Sequence, residues 1–208
     1  MAQILKESVK EQIIESATNE LLNYGYKDSS MRRIATNAKM TVGNLYRYFK
    51  NKDEMISFII NPTFERINDI LSSLTNNGVI IGNNDIDVSI LENEQIINIL
   101  DQLAVELVKI YQENQAVMQI VLMHTSVNDY IKNWFSNLIM KLFEKKHLLV
   151  DEKSKRKCHA LSVAYSASIF EGVRECFLNK ELNYGELTDV IKLYFRSFIA
   201  FMNTQMEI

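Results

Sequence analysis

The chain of 208 residues is 47% hydrophobic and 24% charged with a net charge of −3, a balance that excludes a disordered polypeptide and supports a sizeable core. Six glycines and one proline are too few for the turns of an all-β chain, and no apolar run approaches the roughly 18 residues of a membrane span. Cys158 and Cys176 make no disulfide framework, and Lys6, Glu7, Lys10 and Glu11 stand where a secretory signal would turn apolar. The expected setting is therefore the cytoplasm, with no membrane partner.

The spacing predicts an all-α chain of about nine helices. Val9, Ile13, Ala17 and Leu21, with Ile14 and Tyr24 beside them, form one face of a first helix over 5–24. Gly25 suits the left-handed residue that ends many helices. Ser30 is placed to cap a second helix over 31–37, and Thr41 a third that runs to about 49. Asn51 is placed to cap a fourth, with Asp53 and Glu54 in the first turn, where the helix dipole favours anions. Pro62 is expected to kink or split that helix near 61. The segment 76–89 holds four Asn, two Gly and two Asp and reads as a loop. Further helices are predicted over 91–111, 115–123, 128–146, 151–177 and 184–202, with a polar break at 179–183.

The second and third helices, joined by the three residues 38–40, have the dimensions of a helix-turn-helix. Ile34, Ala35, Ala38, Met40, Leu45 and Phe49 suffice for its small apolar cluster, which leaves the polar residues for a partner. Phosphates are held by Lys, Arg, hydroxyls and backbone amides, whereas base edges are read by Arg, short polar groups and apolar contacts to the thymine methyl. Arg47 and Asn44 suit base edges, Val42 a thymine methyl, and Tyr46, Tyr48, Lys50 and Lys52 phosphates. Gly43 lets a backbone come close because it has no side chain.

Residues 30–54 resemble the N-terminal signature of TetR-type bacterial transcription regulators. The most specific part is Gly43-x-Leu45-Tyr46-x-Tyr48-Phe49-x-x-Lys52-x-Glu54, a short distance after Ile34-Ala35. The resemblance covers roughly a quarter of the chain, and the later helices agree with the family only in length and helix content. Lys39 stands where the family usually has Gly in the turn, and Val42 where Lys is common. The resemblance implies an all-helical homodimer whose three N-terminal helices (residues 1–50) bind a palindromic double-stranded DNA operator. Residues 51–208 would form the effector-binding and dimerisation domain. A small ligand entering that domain would shift the fourth helix and release the DNA, so the implied protein is a repressor, not an enzyme. The DNA-binding residues it implies are Ser30, Arg32, Arg33, Thr41, Val42, Gly43, Asn44, Tyr46, Arg47, Tyr48, Lys50 and Lys52. An activator, a regulator without a small ligand, and a helical enzyme or sensor that keeps the head as a relic are the alternatives. The last would need convergent ionisable groups in the C-terminal part, where the sequence offers none.

The last helix is apolar over a wide arc, which predicts burial on two sides, one in its own domain and one against a second copy. The helix before it is rich in small residues. Together they place the dimer interface at Ala164, Ser168, Gly172, Tyr194, Phe195, Phe198, Ile199 and Met202. A pocket that is mostly apolar with a few polar anchors would be lined by Met118, Leu122, Met123, His124, Trp134, Leu138, Tyr165 and Ile169, and its occupant would be hydrophobic. His124, His147 and His159 lack a second ligand at i+3 or i+4, so neither a metal nor a cofactor is expected.

The net charge conceals an asymmetry. Residues 1–52 hold nine Lys or Arg and five Asp or Glu, a net +4, whereas the rest holds 14 and 21, a net −7. No acid falls between Ser29 and Lys52. A basic head on an acidic body steers the head toward phosphates and discourages wrapping of the remainder.

Overall fold

The computed structural model describes residues 2–76 and 93–205. These residues form nine helices, and among them there is no strand. The helices are α1 (Ala2–Asp28), α2 (Met31–Asn37), α3 (Val42–Leu45), α4 (Lys52–Asn76), α5 (Asn93–Glu113), α6 (Gln115–Met123), α7 (Thr125–Lys145), α8 (Glu152–Leu178) and α9 (Tyr184–Gln205). The predicted loop at 76–89 lies almost wholly outside the described residues. No described helix is long and apolar enough to cross a membrane.

The chain divides into two compact units. The first holds residues 1–65 and 114–124, and the second 66–113 and 125–208. In the first, α1 packs against both α2 and α6, and α2 against α3. Its core includes Ile13, Ala17, Leu21, Ile34, Ala35, Leu45, Phe49, Met55 and Ile56, all buried. In the second, α7 pairs with α8, α5 with α9, and α8 with α9. Phe143, Phe177, Phe195 and Ile191 fill its interior.

The turn between α2 and α3 is built by a Schellman motif. The Met40 N–H donates to the Ala35 carbonyl at 2.9 Å and the Lys39 N–H to the Thr36 carbonyl at 3.0 Å. This arrangement places Lys39 at φ 56°, where an L side chain is strained by about 1 kcal/mol. Lys39→Gly is therefore expected to stabilise the chain by about 0.5–1 kcal/mol. The thermal midpoint should rise by about 1–4 °C for a chain of this size, and a scanning-calorimetry midpoint that falls would refute the strain.

Gly25 takes the expected left-handed conformation (φ 67°, ψ −177°) and breaks the first helix there, with a short helical piece following to Asp28. Local boundaries depart from expectation at three places. α3 is one turn only. Residues 46–48 continue it as a tighter turn in which the Arg47 and Tyr48 N–H groups donate three residues back, to Asn44 and Leu45. Ser30 has the extended backbone of a capping residue, but its hydroxyl makes no capping bond. Pro62 does not split α4. The carbonyl it leaves without a helical donor belongs to Phe58, and both residues are exposed, so water can satisfy it. Thr41 and Asn51 cap as expected: the Asn44 N–H donates to Thr41 Oγ1 at 3.2 Å and the Glu54 N–H to Asn51 Oδ1 at 2.8 Å. Glu54 reaches back to accept the Lys50 N–H at 2.6 Å, in the manner of a capping box.

Candidate nucleic-acid interface

Leu45 and Phe49 anchor the short third helix and its turn from below, both buried. That fixes the phase of the residues between them. Tyr46 (48% exposed), Arg47, Thr41, Gly43 and Lys50 point to solvent, and Val42, Asn44 and Tyr48 are half-buried beside them. Arg32 and Lys39 are also exposed. The side chains of Arg32, Lys39, Arg47 and Lys50 make no ion pair among the described residues, so their charge is available to a polyanion. A Cβ on Gly43 would meet nothing within 4 Å, so the chain itself does not require glycine there. Close approach of an outside body would.

Two cations expected to contact DNA also hold partners within the chain. Arg33 donates from Nε to Glu20 Oε1 at 2.7 Å, pairs with the same carboxylate through Nη2 at 2.6 Å, and also donates to the Asp28 carbonyl. Its guanidinium lies 4.3 Å from the Tyr24 ring centroid. Lys52 donates from Nζ to the Tyr26 carbonyl at 2.6 Å and the Ser29 carbonyl at 3.1 Å, with the ammonium 4.5 Å from the Tyr26 ring centroid. Both residues tie the link between α1 and α2 in place. Their charge was legible in the sequence; their partners, many residues away, were not.

Glu20 is a further residue of the head, outside the expected DNA-contact set. It is 2% exposed and accepts the Ser30 N–H at 2.9 Å as well as Arg33. The signal was available, because Ile13, Ala17, Glu20 and Leu21 stand at i, i+4, i+7 and i+8, which sets an acid on the apolar face. A buried carboxylate needs a cation and hydrogen bonds, and Arg33 supplies the first.

The residues expected for the effector fall in both units. Met118 and Leu122 are buried in the first, with Met123 exposed and His124 half-buried. Leu138 and Ile169 are buried in the second, with Trp134 and Tyr165 half-buried. Tyr165 packs edge-on against Phe198 and Phe201, and Trp134 edge-on against Phe135. A cavity of about 330 Å³ in the second unit is lined by other residues, among them Leu142, Lys146, Ile199 and Met202. Of the residues expected at a dimer interface, Phe195, Ile199 and Met202 are buried within the single chain, which corrects their placement on an outer face. Ala164 and Ser168 are exposed, and Gly172, Tyr194 and Phe198 half-buried. The large exposed apolar side chains of these two helices are Leu161, Val163, Leu178, Val190, Leu193 and Phe201.

A one-turn helix held over a small core, with an outer face rich in cations and without acids, is the geometry of a helix-turn-helix with a basic face. Residues 13–57 match the family described as bacterial regulatory proteins, tetR family. The chain is similar over 58 residues, at 33% identity, to the uncharacterized HTH-type transcriptional regulator YhgD of Bacillus subtilis (strain 168). That match covers 28% of this chain and 30% of the relative, so the chain spans less than a third of the curated relative's length. The fold is similar to that of a TetR-like transcriptional regulator from Rhodococcus sp. RHA1, with a TM-score of 0.51 and 19% identity over 91% of this chain and 95% of that one.

Proposed function

We propose that the chain is a dimeric, ligand-responsive transcription regulator that represses by binding a palindromic operator and leaves it when a small hydrophobic molecule binds. Residues 1–50 would be the DNA-binding part and residues 51–208 the effector-binding and dimerisation part. The observation that carries the reading is the acid-free helix-turn-helix face with Tyr46, Arg47 and Lys50 exposed on it. One turn of helix reads too little DNA to specify a site, so two heads are needed, on half-sites about 34–36 Å or a multiple apart. Support for the second copy comes from α9, where Val190, Leu193 and Phe201 recur at i, i+3 and i+11 on the face turned away from Ile191, Phe195 and Ile199. Support for an effector comes from α7. Asn128 Oδ1 and Trp134 Nε1 are buried without a hydrogen-bond partner among the described residues. Such groups are satisfied by bound water or by a ligand.

The test uses DNA from upstream of the chain's own gene. Sedimentation should give a dimer, a gel shift should give one saturable complex, and a reporter fused to that DNA should rise when the gene is deleted. A monomer bound to DNA would refute the dimer, and a reporter that falls would make the protein an activator.

A further inference from the structure

Lys52 occupies the first position of α4, where the positive end of the helix dipole disfavours a cation. Its geometry accounts for it. The Nζ atom reaches the Tyr26 and Ser29 carbonyls beyond the Gly25 break, where the end of α1 leaves carbonyls without helical donors. The neighbouring Asp53 accepts a hydrogen bond from the Tyr26 hydroxyl through Oδ1. That bond raises the pKa of the phenol above its ordinary value. Two consecutive residues of α4, of opposite charge, thus hold one tyrosine by its carbonyl, its ring and its hydroxyl. The same link is held from its other side by Arg33 on the Asp28 carbonyl and Glu20 on the Ser30 N–H. Ser29 adds a bond from Oγ to the Tyr26 carbonyl at 2.8 Å.

We propose that Lys52, with Asp53 and Tyr26, is a positioning joint that fixes the reading element on the first turn of α4, and that Lys52 is not a phosphate ligand. The proposal rests on the DNA-binding reading above. It assigns the two lysines of Lys50-Asn51-Lys52 to different tasks: Lys50 is exposed and meets phosphate, while Lys52 is half-buried and holds the link.

Salt dependence separates the two tasks, because each neutralised phosphate adds about 0.9 to the slope of log affinity against log salt. The probes are a duplex from the chain's own upstream DNA and a duplex of random sequence, at a temperature where far-UV circular dichroism shows every variant folded. Lys50→Met should lower the slope by about 0.9 per head, about 1.8 for a dimer with both heads on the duplex, and weaken both duplexes alike. Lys52→Met should leave the slope unchanged and weaken the upstream duplex by about tenfold, with little change on random DNA, because a displaced head loses base contacts before phosphate contacts. Tyr26→Phe and Asp53→Asn, which remove no cation, should show the same preference for harming the upstream duplex. Their effects should not add to that of Lys52→Met, because all three break one joint. A slope lowered by about 0.9 per head, about 1.8 for the dimer, in Lys52→Met would make Lys52 a phosphate ligand and overturn the proposal. An unchanged upstream affinity would overturn it too. If the wild-type protein bound neither duplex, the DNA-binding reading would fall and the joint with it.

Discussion

Replacing Tyr46 and Arg47 together by alanine is expected to lower operator affinity roughly a thousandfold while leaving the thermal midpoint nearly unchanged. Both side chains are exposed, neither belongs to the cluster of Ile34, Ala35, Leu45 and Phe49, and the turn that carries them is fixed by backbone bonds that alanine keeps. Folding therefore loses little. Binding loses much, because an arginine on a base edge contributes about 1–3 kcal/mol and a phenol on a phosphate about 1 kcal/mol. Taking about 2 kcal/mol per head and two heads on a palindrome gives about 4 kcal/mol, or nearly three decades of affinity. Fluorescence anisotropy with labelled upstream DNA at fixed salt measures this directly. A loss below about tenfold in a folded protein would move the reading face elsewhere, because a single phosphate contact alone can account for that much. The loss should also be larger on the upstream duplex than on random DNA, as expected of residues that read bases and do not merely hold the backbone.

The positions that sequence reasoning placed well are those governed by local rules. Thr41 and Asn51 cap because a short side-chain oxygen three residues before a free N–H satisfies it whatever lies further off. The buried cluster of the head follows from helical spacing, and the exposure of Tyr46, Arg47 and Lys50 follows from Leu45 and Phe49 being buried on either side. What the spacing does not give is partners distant in the chain. Arg33 and Lys52 have the charge of DNA contacts, and only the fold brings Glu20 to one and the Tyr26 and Ser29 carbonyls to the other. Ser30 has the type and backbone of a cap, yet its hydroxyl makes no capping bond. The arc of α9 is another case. Periodicity gives one wide apolar arc, and it does not divide that arc into the part that faces the chain's own core, through Phe195, Ile199 and Met202, and the exposed part, through Leu193 and Phe201.

Gly172→Ala is expected to destabilise the protein by about 2 kcal/mol, against the usual gain of about 1 kcal/mol when glycine in a helix becomes alanine. Gly172 lies within α8, where Tyr194 of α9 crosses it and donates from its hydroxyl to the Ser168 carbonyl at 2.8 Å. A Cβ at 172 would overlap the Tyr194 hydroxyl and ring, reaching ring carbon Cε1 at 2.8 Å, nearer than real Cβ atoms come to other heavy atoms. The ring cannot yield by turning about its own axis, because the overlap lies along that axis at the hydroxyl end. Either Tyr194 swings away and gives up its bond, which costs about 1 kcal/mol, or the two helices part. For a chain of this length the thermal midpoint should fall by about 4–8 °C. The clash also predicts a coupling. Tyr194→Leu alone should cost stability through the lost bond and ring contacts, and Gly172→Ala added to it should cost nothing further or restore part of the loss, because the atoms it would strike are gone. If Gly172→Ala raised the midpoint, helix propensity would outweigh the close crossing. Additive losses in the double variant would show that the cost at 172 arises from something other than Tyr194.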